Sequence, residues 1–220
     1  MKKIVLTIII AAAAGIWNAG AQEARFAQLS GKVEVKSRGT ENWKPAAVGD
    51  RIGKNAVIST GIKSTAVISL GNSKVSIPSL TMLTLEELAR RDNTEETVLF
   101  LRTGSINADV TPPSGLKAEF TVRSPTSTAS VRGTSFSFNG QRLAVRSGKV
   151  AFSNRSGQKV YVKENQHSYA DSGRNQRPVT PFEAESAETR PVLNDLDNTK
   201  SEKKSSGKRI PEVQIIIDWK

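Results

Sequence analysis

The residues of this chain that could do chemistry are few and scattered. The 220 residues include one histidine, His167, and no cysteine, which excludes a histidine-rich metal site, a thiolate metal site and disulfides. Glu86-Glu87 and Glu95-Glu96 are carboxylate neighbours, which a strand points to opposite faces. No Gly-x-Ser-x-Gly elbow and no glycine-rich phosphate loop occurs. Counting residues leaves a Ser-His-Asp arrangement open, but we predict a protein that is not an enzyme and uses no catalytic residue, metal or cofactor.

The elements that must carry these residues are predicted to be short strands. Polar and apolar residues alternate with a period of two in 32–36, 65–70 and 135–138, as half-buried strands require. Asn139-Gly140 is the clearest hairpin signal. Segment 82–91 fits a helix or an edge strand that ends in a charged turn. The predicted fold class is all-β, either a compact twisted β-sandwich or a short irregular β-solenoid.

A glycine directly before a polar and then a β-branched residue occurs three times in the chain. The three segments are Gly31-Lys32-Val33, Gly104-Ser105-Ile106 and Gly148-Lys149-Val150. Their unequal spacing does not fit a regular solenoid repeat. The pattern predicts strands that start from similar tight corners.

The first 21 residues have the build of a secretory signal peptide. Two lysines precede an apolar run, and Ala19-Gly20-Ala21 offers small residues at a cleavage site. The run is shorter than the roughly 20 residues that span a bilayer core, which makes a retained anchor the weaker alternative. We expect cleavage after Ala21, no stable membrane insertion afterwards, and a periplasmic or secreted protein.

The remainder divides into three predicted parts. Residues 22–171 form the all-β domain, and the polar segment 172–209 is expected to be disordered because it cannot bury enough apolar surface. Residues 210–220 turn apolar again and predict a strand, which either pairs within the chain or docks on a partner's sheet.

Three stretches carry a resemblance to a known family. They are 43–52 with Trp43-Lys44-Pro45, 58–75 with Thr60-Gly61, and 120–150 with Pro125, Val131-Arg132-Gly133-Thr134 and Gly148. Together they resemble the FecR domain, an extracytoplasmic sensory module, over about residues 28 to 165. The resemblance implies a protein that acts by contact with other proteins or envelope components. Regulators of that family carry an anti-sigma segment and a transmembrane helix ahead of the domain, and this sequence resembles neither, so sigma-factor control is not carried over.

Most positions of this motif are expected to be structural. Thr60, Pro125 and Thr134 belong to the motif, and Pro125 is expected to hold an extended entry into the next strand. Gly61, Gly71, Gly133 and Gly148 are expected to hold backbone angles that cost other residues about 1 kcal/mol or more. Two interpretations of Arg132 stay open, a structural arginine bonded to loop carbonyls or a carboxylate, and a residue that reads a partner.

The net charge of +11 points to an anionic partner without choosing one. Export and the low aromatic content argue against nucleic acid. We expect an exported binding or scaffolding module that contacts an envelope protein, with strand addition at a sheet edge as the leading mode. The alternatives are a binder of cell-wall polymer or anionic glycan, through a face such as Lys32, Lys36 and Arg38, and a component of an envelope signalling relay. The candidate partner contacts are Arg132, Arg142, Arg146, Ile215, Ile217 and Trp219.

Overall fold

Alternating burial along short segments builds the whole described part of the chain from strands. The computed structural model describes residues 23–170, 178 and 180. Its strands, in chain order, are β1 (Ala24–Ser30), β2 (Val33–Lys36), β3 (Lys44–Pro45), β4 (Arg51–Ile52), β5 (Val57–Thr60), β6 (Thr65–Leu70), β7 (Ser73–Ile77), β8 (Met82–Arg91), β9 (Thr94–Thr103), β10 (Ile106–Val110), β11 (Lys117–Arg123), β12 (Ser127–Val131), β13 (Thr134–Phe138), β14 (Arg142–Ser147), β15 (Lys149–Asn154), β16 (Lys159–Lys163) and β17 (His167–Tyr169). All regular elements among these residues are strands, so the all-β prediction is confirmed.

The strands form two sheets that share one core. The eight-stranded sheet has the order β17-β14-β13-β10-β7-β6-β1-β4, and the nine-stranded sheet has the order β16-β15-β12-β11-β9-β8-β5-β2-β3. The inward residues of both sheets belong to a single buried apolar cluster. Phe138 of the first sheet and Phe152 of the second pack edge to face, with ring centroids 6.2 Å apart. The architecture is therefore a two-sheet sandwich.

The chain passes repeatedly from one sheet to the other. Seven connections at one end of the strands, four of them passages between the sheets and three of them hairpin turns, lie along one narrow edge of the sandwich. The registers that place strand ends together there include Ser30 with Thr65 and Ile106 with Phe138. We call this the corner edge and define it by the connections 31–32, 61–64, 78–81, 104–105, 124–126, 139–141 and 155–158. The repeated passage of the chain between two sheets is the feature that a solenoid and the observed sandwich have in common.

The three glycine corners of the sequence all lie where the chain changes sheet. Gly31, Gly104 and Gly148 have φ angles of +74°, +87° and +89°. Two of them lie on the corner edge, and Gly148 lies at the opposite ends of the strands, between β14 and β15. The prediction of similar tight corners is confirmed, since each needs the left-handed backbone that glycine adopts without a steric cost.

The helical alternative for residues 82–91 is wrong. They form β8, which pairs with β5 and β9 and is therefore an interior strand and not an edge strand. The register shifts between Leu85 and Glu87, a β-bulge that breaks the two-residue alternation. That break is what gave the segment a helix-like pattern in the sequence.

The hairpin predicted at Asn139-Gly140 is confirmed between β13 and β14. Only Gly140 has a positive φ, +91°. Asn139 instead accepts the amide hydrogens of Gln141 and Arg142 on its side-chain oxygen, at 3.1 and 2.7 Å. Asn139 therefore closes the turn with its side chain, as Asx turns do.

Several predictions fall outside the described residues. They are the signal peptide, the polar segment 172–209 apart from residues 178 and 180, and the C-terminal strand with Ile215, Ile217 and Trp219. Among the residues that are described, no helix has the length and apolar character needed to cross a membrane.

Candidate functional site

A groove of about 710 Å³ runs over the outer face of the nine-stranded sheet near β16. Its floor is a row of residues paired across four adjacent strands, Thr121, Ser130, Ala151 and Tyr161. Three of these side chains are small, and Tyr161 is large and 57% exposed. Small residues in the middle of an outward face, beside a tall tyrosine at its margin, produce the depression.

The floor offers polar atoms to a ligand. The Thr121 and Ser130 hydroxyls lie 3.2 Å apart and share a hydrogen bond, in which either oxygen is able to donate. Each hydroxyl keeps further acceptor capacity toward the groove. The floor can therefore bond a polar backbone or a sugar hydroxyl.

The walls of the groove are basic. Arg132, Lys149 and Lys159 line it, against the single carboxylate of Glu119 in the lining. The Lys149 ammonium lies 5.3 Å from the centroid of the Tyr161 ring, a cation–π contact that holds the charge above the floor. None of the three cations forms an ion pair with a described residue. Their positive potential is free to act on an anionic ligand.

Arg132 owes its position to the connection between β12 and β13. The chain changes sheet at Arg132-Gly133, which turns the arginine side chain out at the end of the sandwich opposite the corner edge. The residue is exposed and makes no hydrogen bond or ion pair with the described part of the chain. These contacts do not support the structural interpretation of Arg132 and leave its guanidinium available to a partner.

The other predicted arginines do not belong to this groove. Arg142 and Arg146 are exposed residues of β14, on the outer face of the eight-stranded sheet. The Arg146 guanidinium donates a hydrogen bond of 3.4 Å to the Ser135 hydroxyl. The three arginines predicted as one set of contacts thus occupy different surfaces.

The basic stripe at the start of the domain is largely neutralised. Lys32 forms an ion pair with Glu34 at 3.2 Å, and Lys36 lies 3.6 Å from Glu41. The Lys36 ammonium also lies 5.5 Å from the Trp43 ring centroid. This face carries less free charge than the groove does.

Two threonines of the motif make hydrogen bonds that hold connections of the fold together. The Thr60 hydroxyl is buried, donates to the Pro78 carbonyl at 2.6 Å and accepts from the Thr81 amide at 3.0 Å. The Thr134 hydroxyl donates to the Lys149 carbonyl at 3.2 Å, beside Gly148. Pro125 is exposed in the turn between β11 and β12.

The expectation of special backbone angles is correct for two glycines and wrong for two. Gly71 and Gly148 have positive φ angles, and Gly61 and Gly133 do not. A Cβ on Gly133 would lie 3.3 Å from Pro112 Cδ, which makes close packing the only constraint there. The required angle belongs to Gly148, whose Cβ would lie 2.8 Å from the Gly133 carbonyl oxygen.

Sequence reasoning missed Lys159 and Tyr161. Their signal was available, because the alternation Lys159-Val160-Tyr161-Val162-Lys163 places both on one strand face. What the sequence did not show is which strands lie next to that face.

The comparison with protein families finds a match for the middle of the chain. Residues 56–157 match the family described as FecR protein. This segment of the chain is FecR-like. The matched segment includes Arg132, Gly133 and Lys149, and it ends just before Lys159 and Tyr161. The FecR family is envelope-associated and signalling-related.

Comparisons with individual proteins add less. Two crystal structures of a candidate anti-sigma factor from Parabacteroides distasonis ATCC 8503, at 2.50 and 1.65 Å resolution, each match at 16% identity and a TM-score of 0.46. The matches cover 56% of this chain and 59% of theirs, so this chain spans less than two thirds of their length. No curated protein matches in sequence.

Proposed function

We propose that this FecR-like protein is a binding module of the cell envelope that takes an extended acidic segment of a partner protein into the groove beside β16. The observation that carries the proposal is the set of three unpaired cations, Arg132, Lys149 and Lys159, around one groove. Attraction between these cations and acidic side chains would steer the encounter and fix the register of the bound segment.

The edge next to the groove gives the partner a backbone to bind. β16 is the last strand of its sheet and, among the described residues, pairs with β15 alone. The other three terminal strands, β3, β4 and β17, have two or three residues, whereas β16 has five. Its free amides and carbonyls can pair with an extended segment, which is the strand-addition mode of recognition.

Strand addition and the basic groove would work on the same ligand. A strand added beside β16 lies about 4.8 Å away and points every second side chain to the outer face. Those side chains then lie next to Lys159, Tyr161 and Lys163 and in reach of Lys149. A segment that alternates acidic with small or apolar residues fits this surface.

Site-specific photo-cross-linking in intact cells tests the proposal. A photoreactive residue at Tyr161 is expected to capture one recurrent envelope protein. The control at Ala144, exposed on the outer face of the other sheet, is expected not to capture it. Adding Lys149→Glu and Lys159→Glu should abolish capture at position 161. Capture that is equal at both positions, or that survives the charge reversal, would refute the proposal.

A second candidate function, binding of an anionic wall polymer, is favoured by one feature of the same groove. The exposed Tyr161 ring, in one row with the Ser130 and Thr121 hydroxyls, resembles a platform for a sugar chain, and the cations would hold its acidic groups. Pull-down with purified anionic wall polymer separates the two functions. Polymer binding that disappears in the Lys149→Glu, Lys159→Glu variant, with no protein captured at position 161, would favour this second function.

A further inference from the structure

The corner edge combines exposed aliphatic side chains with positive charge. Ile62 is 76% exposed and Leu80 is 62% exposed. The two residues lie in neighbouring connections of the corner edge. A hydrogen bond of 3.3 Å joins these connections, with the Leu80 amide as donor and the Gly61 carbonyl as acceptor. The two side chains therefore project from adjacent turns of one narrow surface.

The backbone at these tips is held in an unfavourable conformation. Leu80 has φ +57° and Lys63 has φ +52°, the left-handed region that non-glycine residues rarely adopt. A hydrogen bond links the two strained turns to each other, because the Ser79 hydroxyl donates to the Ser64 carbonyl at 3.0 Å. A fold that holds a leucine in this conformation and leaves it exposed points to a role for the side chain outside the fold.

The charged residues within the connections of this edge are all basic. The seven connections that define it contain no aspartate or glutamate. Lys63, Arg102, Arg142 and Arg155 lie in these connections or next to them, and none forms an ion pair with a described residue. Lys32 and Arg123, also at this edge, are paired with Glu34 and Glu86.

The opposite ends of the strands differ. The connections there include Glu41, Asp92 and Glu164 among their residues. The segregation of charge is therefore a property of the corner edge and not of the whole basic domain.

We propose that the corner edge docks on the surface of an anionic lipid bilayer, with Ile62 and Leu80 entering the headgroup–acyl boundary and the surrounding cations contacting lipid phosphates. Two aliphatic tips within a basic surface fit an interface that accepts single apolar side chains beside lysine and arginine. A protein-binding hot spot would instead present aromatic anchors, whereas Ile62 and Leu80 are aliphatic. The cavity of about 220 Å³ on this edge is lined by residues of other connections, among them Gly104, Pro125 and Gly140.

The sequence contains no cysteine, so that one introduced cysteine can be labelled at a chosen position and its contact with a bilayer measured there. In the full-length protein as its host processes it, Ile62→Cys and Leu80→Cys are labelled in turn with an environment-sensitive dye. Val48→Cys is the matched control, since Val48 is 65% exposed and lies outside the corner edge. Mixed vesicles of phosphatidylcholine and phosphatidylglycerol should raise the emission of dyes at 62 and 80 and leave the dye at 48 unchanged.

Co-sedimentation with the same vesicles measures affinity without a label. Ile62→Ser with Leu80→Ser, and separately Lys63→Glu, should lower binding by about tenfold or more. Val48→Ser and Lys117→Glu, the controls of matched chemistry, should bind like the wild type, since both residues are exposed and lie outside the corner edge.

Three outcomes would overturn the proposal. They are equal binding to pure phosphatidylcholine vesicles, equal loss in the control variants, and an unresponsive dye at positions 62 and 80. If the protein does not bind vesicles but a photoreactive residue at position 62 captures a protein, the edge would be assigned to a protein partner instead. Circular dichroism of every variant separates loss of binding from loss of fold.

Discussion

The Ser64 hydroxyl oxygen lies 2.8 Å from the Lys32 amide nitrogen and accepts its hydrogen bond. The contact joins two passages between the sheets, and it is possible only because Gly31 has no side chain. A Cβ at Gly31 would lie 2.9 Å from Ser64 Cα. Gly104 packs in the same way against Thr81, whose hydroxyl accepts from the Ser105 amide at 3.2 Å. A glycine on one passage and a hydroxyl on the next thus form a repeated joint of this sandwich.

Substitution of Gly31 tests this joint against a matched glycine. Gly31 and Gly39 have the same φ, +74°, but a Cβ at Gly39 would meet nothing within 4 Å. Gly39→Ala should cost about 1 kcal/mol, from backbone strain alone. Gly31→Ala should cost about 1–3 kcal/mol more, because it also displaces Ser64. Urea denaturation measures both, and equal losses would show that Ser64 moves aside freely.

Gly148 and Gly133 give a second comparison, within the family motif. Gly148→Ala combines a φ of +89° with a 2.8 Å approach to the Gly133 carbonyl oxygen, and it should destabilise the domain by about 2 kcal/mol or more. Gly133→Ala should cost clearly less, since its φ is ordinary and its Cβ meets only Pro112 Cδ at 3.3 Å. Thermal unfolding ranks the two variants. The reverse order would contradict the assignment of the special angle to Gly148.

The Thr60 hydroxyl is expected to matter more than its methyl group. Thr60→Val leaves the Thr81 amide and the Pro78 carbonyl without this partner in a buried place, which should cost about 1–3 kcal/mol. Thr60→Ser keeps the hydroxyl and should cost less, although it removes a buried methyl. Denaturant midpoints of the two variants decide the point. A valine variant as stable as the serine variant would mean that water replaces the lost hydroxyl.

Glu95 should make stability depend on pH in an unusual direction. Burial raises the pKa of the Glu95 carboxyl, and Arg90 across the hairpin offsets part of this. Because the folded state then holds the proton more tightly than the unfolded chain, this group adds stability as the pH falls through its folded pKa. Glu95→Gln should therefore raise the melting temperature at neutral pH.

The gain from Glu95→Gln should shrink as the pH falls through the raised pKa of Glu95, because Glu95 itself then becomes neutral. The neighbouring variant Glu96→Gln is the control, since Glu96 faces outward near Arg91 at 4.0 Å. A gain from Glu95→Gln that does not change with pH would contradict a raised pKa.

Local features of the sequence predicted most of the fold. The alternation in 65–70, the Asn139-Gly140 turn and the glycines at the three corners each act over a few residues. Such features can be recognised from the sequence alone, because side-chain alternation and left-handed backbone angles are set locally. The prediction for 82–91 failed at the bulge near Glu86, where pairing with β9 and not the local pattern sets the conformation.

The candidate site was predicted only in part. Arg132 was singled out because it is a charge within an apolar motif, and the structure places it in the groove. Arg142 and Arg146 are predicted as further contacts, basic residues around the Asn139-Gly140 hairpin, yet β14 belongs to the other sheet. Lys159 and Tyr161 joined the groove because β16 pairs with β15, a relation that no local pattern encodes.

The sequence alone determined that the body of this protein is made of short strands, that glycines turn its corners, and that it resembles the FecR family. It did so because period, turn chemistry and motif are properties of neighbouring residues. Only the tertiary structure decided which outward faces adjoin, and so brought Thr121, Ser130, Ala151 and Tyr161 into one row. It also gathered the acid-free connections along one edge. The pairing of distant strands is a non-local choice, made by burying both inner faces in one core.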